Sequence, residues 1–105
     1  MSVTESVPEA PYERLLDLVD RLASDPALPV NPDTERTLEQ IVIEAIADRS
    51  IDRELHLSDV VRWLIATVHG HRAIRLSHPD VDTDEELALM RVLITRWLHP
   101  ARRDA

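Results

Sequence analysis

Apolar residues recur at spacings of three and four through most of this chain, and proline marks the breaks between the runs, a pattern that predicts four helices. The first begins at Pro11, a residue suited to the opening helical position, and runs to Ala23. Tyr12, Leu15, Leu16, Val19 and Leu22 make its stripe, while Arg14, Asp17, Asp20 and Arg21 face water. Pro26 and Pro29 push the residues before them out of helical geometry, so Ser24 to Val30 reads as a stiff connector. Asn31 is the expected cap of the second helix, with Pro32 in the first turn and Asp33 and Glu35 near the positive end of the dipole. Leu38, Ile41, Val42, Ala45 and Ile46 carry its stripe towards Arg49.

The third helix is expected to take Ser58 as its cap and to reach Leu76. It has two apolar faces: Val60, Val61, Leu64, Ile65 and Val68 on one, and Trp63, Ala66, Thr67, Gly70, Ala73 and Ile74 on the other. Gly inside a helix costs about 1 kcal/mol relative to Ala, and a close approach by another helix is the natural compensation. The fourth helix opens with Thr83 and Glu86 in the spacing of a capping box. Between Leu87 and Leu98 only Arg91, Thr95 and Arg96 are polar, so this helix should be buried nearly all round. Four helices of this size cover one side of it and leave the other in need of a partner. Ile51, Leu55 and Leu57 pin the connector before the third helix to the core.

Length makes the whole a single domain with a thin core, burying about 60 to 70% of its unfolded surface. Met1 to Ala10 is expected to be a flexible arm, Pro11 to Pro100 the helical domain, and Ala101 to Ala105 a polar tail. There is no cysteine, so disulfides and thiolate chemistry are excluded. No run approaches the roughly 18 uncharged apolar residues of a membrane span, and the start does not resemble a secretory leader, so a cytoplasmic protein without membrane partners is expected. The net charge is −8, and all 12 bases are arginine. Met1 to Leu57 holds 13 acids and 5 arginines, and Ser58 to Ala105 holds 7 of each. No face is ready to neutralise a run of phosphates, and direct nucleic-acid binding is disfavoured.

Asp80, Asp82 and Asp84 imitate the opening of a calcium loop, but Glu85 stands where the sharp turn needs Gly and Arg91 where a bidentate Glu is needed, so they read as acidic capping. His69 and His71 point about 200° apart on a helix and cannot chelate one metal together. No catalytic, cofactor or metal residues are therefore assigned. His56, His69, His78, Glu39 and Glu44 fall in no catalytic spacing, and Glu44 with Asp48 reads as a solvated acidic face. Trp63 and Trp97 fit two roles equally, interface anchors or members of the monomer core.

The run DVVRWLIATVHGHRAIRLSHPDVDTDEELALMRVLITRWLHP, 42 of the 105 residues, resembles the last two helices of the C-terminal domain of TetR-family transcriptional regulators. An apolar helix with a mid-helix Gly, an arginine soon after it, a Pro-Asp turn and a closing Leu-rich helix follow in that family's order. The resemblance implies an all-α domain whose last two helices pair with those of a second subunit in an intersubunit four-helix bundle, with Trp63, Thr67, Gly70, Ile74, Met90, Leu93 and Trp97 at the interface. It also implies a deeper pocket for a small apolar ligand. Leu38, Val42, Leu64, Val68, His71 and Arg75, between the second and third helices, are the candidates for one. The family's helix-turn-helix half has no counterpart here, so DNA binding is not carried over; the chain reads as an excised regulatory domain or a stand-alone protein. The leading expectation is a homodimeric, effector-sensing module. The alternatives are a small-molecule-binding or catalytic bundle, and a partner that heterodimerises with a full-length regulator.

Overall fold

The structure is a computed structural model and describes residues 9–99; most of the expected arm and the whole tail lie outside the described residues. Among the described residues the chain is all helix and loop: α1 (Pro11–Ser24), α2 (Pro32–Ala47), α3 (Leu57–Ser77) and α4 (Thr83–Leu98). Pro11 opens α1, and Leu15, Leu16, Val19, Leu22 and Ala23 form its buried face. Asn31 caps α2 as expected: its side chain accepts from Thr34 N at 2.9 Å, and the Thr34 hydroxyl returns to the Asn31 amide at 3.4 Å.

Two other caps differ from the sequence expectation. α3 starts at Leu57, with His56 rather than Ser58 at the cap position and no side-chain bond there. Leu57 packs against the core, and the Val60 amide already bonds the His56 carbonyl at 3.0 Å, so burial of Leu57 draws the helix back past Ser58. α4 is capped by Asp82, not Thr83: its carboxylate accepts from the Asp84 and Glu85 amides at 3.0 and 3.2 Å. A carboxylate on the first amides is favoured by charge as well as hydrogen bonding, which a threonine hydroxyl is not.

α2 stops at Ala47, short of Arg49, because Arg49 takes a left-handed backbone with φ of 69°. The Ser50 amide then reaches the Ala45 carbonyl at 3.0 Å and the Arg49 amide reaches Ile46 at 3.1 Å, the paired bonds of a Schellman ending. That turn drives Ile51 into the core, fully buried, and the next amide, Asp52, bonds the Leu98 carbonyl at 2.8 Å at the end of α4.

α1 is the central element. It packs against each of the other helices, whereas α2 and α4 do not touch. Leu15 and Val19 of α1, Leu38 and Val42 of α2, Val60, Leu64 and Val68 of α3, and Ile94 and Leu98 of α4 meet in one core, and truncating any large member to Ala would cost about 2 to 5 kcal/mol. The end of α1 is closed from α3. Arg72 donates to the carbonyls of Leu22, Asp25 and Leu28, its two Leu22 bonds measuring 2.9 and 2.6 Å, and Arg75 donates to Ser24 at 2.8 Å. The Leu22 and Ser24 carbonyls are among the acceptors every helix leaves unpaired at its end, and cations are favoured there. With α1 and α3 on one side of α4 and nothing on the other, the layout fixes where apolar surface is left over.

Candidate interaction surface

The leftover surface is the outer side of the α3–α4 hairpin. On α3 the inward positions Val60, Val61, Leu64 and Val68 are buried, while Trp63, Ala66, Gly70, Ala73 and Ile74 are exposed. On α4, Met90, Ile94 and Leu98 point inward, and Leu89, Val92, Leu93 and Trp97 point outward. Trp63 is 60% exposed, Leu93 57% and Leu89 51%, values at which burying each side chain against a partner would still release most of its hydrophobic free energy. Neither Trp63 nor Trp97 is a core residue.

Of the expected interface residues, Trp63, Gly70, Ile74, Leu93 and Trp97 lie together on this face. Thr67 is half-buried beside them, its hydroxyl donating to the Trp63 carbonyl at 2.7 Å. Met90, at 5% exposure, packs on the core side of α4 with Ile94, and its remaining surface lines the cleft beside Gly70. A Cβ added to Gly70 would meet nothing within 4 Å, so no helix of this chain makes the close approach that would offset the cost of a mid-helix glycine.

Beside Gly70 the two helices part to leave a cleft of about 210 Å³. Thr67, Gly70, His71 and Ile74 line it from α3, and Glu86, Leu89, Met90 and Leu93 from α4. Its polar members are Thr67, Glu86 and His71; His71 is only 4% exposed, and its ring nitrogens are buried without a hydrogen bond. Near it Asp20 of α1 keeps one carboxylate oxygen, Oδ1, buried and unpaired, while Oδ2 accepts from Arg91 Nη1 at 2.8 Å. Burial pushes the Asp20 carboxyl above its usual range; the Arg91 guanidinium and, more weakly, His71 act in the opposite direction.

The pocket expected between the second and third helices is not formed by the residues named for it. Leu38, Val42, Leu64 and Val68 are fully buried in the core shared with α1, and the cleft that does lie between α2 and α3 is lined by Glu35, Glu39, Ser58, Val61, Arg62 and Ile65 instead. Arg75 is spent on the end of α1. Of the six, His71 lines the cleft between α3 and α4, and Arg75 lines a separate one beside His78 and Thr83.

The remaining titratable candidates stay apart. His56, His69, His78 and Glu39 are exposed at separate places. Glu44 accepts from Arg14 at 2.8 Å, and that bond, helped by Gln40, holds its carboxyl below the usual range. Asp48 is lowered by the hydroxyl and amide of Ser50. Among the described residues no group of three or more histidine or carboxylate side chains converges as a metal site would require, and no helix is long and apolar enough to cross a membrane.

No family model, curated protein or solved structure matches this chain. The surface therefore speaks through its own chemistry. What sequence reasoning missed was Arg72, whose carbonyl partners lie 44 to 50 residues away and leave no local signature.

Proposed function

We propose that the chain is a helical dimerisation module in which α3 and α4 pack against the same helices of a second copy, forming a four-helix bundle between subunits. The observation that carries this reading is the outward apolar face of the hairpin, with Trp63, Ile74, Leu89, Val92, Leu93 and Trp97 in water. Weighted by their fractional exposures, these side chains leave on the order of 600 Å² of apolar surface, the upper end for a lone soluble protein and most of the about 800 Å² per partner of a standard interface. A two-fold dimer uses one patch twice, so a single self-complementary face suffices.

In this reading the chain is the associating half of a regulator of TetR type, and its effect on transcription comes through the partner it brings together rather than through contacts of its own with DNA. The acidic balance of the chain supports that division. Leu93→Arg tests the surface. The position is exposed in the single chain, so helicity and monomer folding should survive, while a buried unpaired charge at the interface should abolish self-association in size exclusion coupled to light scattering. A Leu93→Arg chain that associates like the wild type would reject this face.

A further inference from the structure

We infer that the dimer is set in register by Trp63, whose indole seats in the apolar cleft beside Gly70 of the opposite copy. This rests on the proposed dimer and goes beyond it by naming what fills the cleft.

Trp63 and Gly70 are seven residues apart on α3, two turns along and only about 20° around, so they share the outer face. When two copies of a helix pair antiparallel about a two-fold axis, residues oppose one another in pairs whose numbers have a constant sum. The pairing that sets Trp63 against the partner's Gly70 sets Ala66 against the partner's Thr67 and places the axis between them. Those are the positions at which the helices come closest, and they carry small side chains. The Thr67 hydroxyl is already turned onto the Trp63 carbonyl, so no polar group is stranded there. Both tryptophans and both glycines are used at once, and no residue of α3 is asked to occupy two places.

The cleft fits that side chain in size and chemistry. A cavity of about 150 Å³ holds benzene, and indole has nine ring atoms to benzene's six, so a cleft of about 210 Å³ suits it. Its lining is nearly all apolar, with Gly70 leaving space where any other residue would place a Cβ. His71 lines the cleft with both ring nitrogens buried beneath its surface, so the wall that an incoming indole meets is apolar. A free apolar metabolite could offer the same chemistry. The chain itself, however, displays a 60% exposed tryptophan one heptad from the cleft on the same face, at the local concentration a dimer imposes.

The test is made on the full chain. Trp63→Ala removes an exposed side chain, so circular dichroism should show an unchanged fold while the dissociation constant rises about 30-fold or more, as for a hot-spot aromatic. The chain has no native cysteine, so single cysteines report the register. Ala66→Cys, next to the axis, should oxidise readily to a covalent dimer, whereas Ala73→Cys should not, its two copies lying about 20 Å apart along the helices. A dimer whose affinity is unaffected by Trp63→Ala and that is trapped through Ala73→Cys instead overturns the register while leaving the dimer standing. A chain that stays monomeric throughout removes both. Free indole that raises the melting temperature without dissociating the dimer would give the cleft to a small aromatic ligand, and so overturn the inference too.

Discussion

Arg91 Nη1 donates to Asp20 Oδ2 at 2.8 Å, joining α4 to α1, while the other oxygen of the same carboxylate is buried without a partner. Half-paired burial leaves the ionised form of Asp20 poorly compensated: loss of solvation outweighs the guanidinium, and the carboxyl is raised. The native state therefore holds this proton more tightly than the unfolded chain. The Asp20 contribution to stability is greatest in acid and falls as pH rises through the titration towards neutral, opposite to an ordinary ion-paired aspartate. Asp20→Asn should match or exceed the wild type in thermal unfolding at pH 7, by no more than about 1 kcal/mol because the side chain keeps some contact with water, and the gain should vanish near pH 4. A clear loss of stability at pH 7 would mean that the ion pair dominates.

Arg72 is the strongest single polar tie between α3 and α1, forking onto carbonyls of Leu22, Asp25 and Leu28. Arg72→Met should cost about 2 kcal/mol in urea unfolding, since it strips charge-assisted bonds from partly buried acceptors. Arg72→Lys should recover only part of that, because an ammonium cannot reproduce the planar fork.

These ties show where sequence reading stops. The helix count, the buried stripes, the Asn31 cap and the surplus apolar face were all legible, because each is encoded in residues three and four apart. Ser58 and Thr83 misled because a cap is a competition: burial of Leu57 and the stronger Asp82 carboxylate won. The expected pocket failed for a different reason. Leu38, Val42, Leu64 and Val68 announce that a face is apolar but not which element covers it, and α1 does. The cleft at His71 needed the crossing of α3 with α4, which no periodicity reports.

The left-handed turn at Arg49 gives a prediction on stability alone. A residue with a Cβ pays on the order of 1 kcal/mol to sit at positive φ, and Gly does not. Arg49→Gly should therefore raise the unfolding free energy by about 0.5 to 1 kcal/mol, seen in chemical unfolding as a higher midpoint with the slope unchanged. The exposed arginine forms no part of the proposed interface, so self-association should not change.

Gly70 separates the needs of the single chain from those of the dimer. In the single chain its missing side chain faces open space, so Gly70→Ala should stabilise α3 by about 1 kcal/mol under dilute conditions. Gly70→Leu, which fills the cleft from within, should leave the fold intact and weaken self-association by at least about tenfold. Sedimentation equilibrium on the two variants separates the effects, and an unaffected dimer in Gly70→Leu would show that the helices do not meet there.

Whether α3 and α4 meet a second copy is tested most directly by light scattering coupled to size exclusion of the wild-type chain over low to high micromolar concentrations. The predicted result is a species of twice the 12.0 kDa chain mass that gives way to the single chain on dilution and in Leu93→Arg. A well-behaved 12.0 kDa particle at every concentration would contradict it.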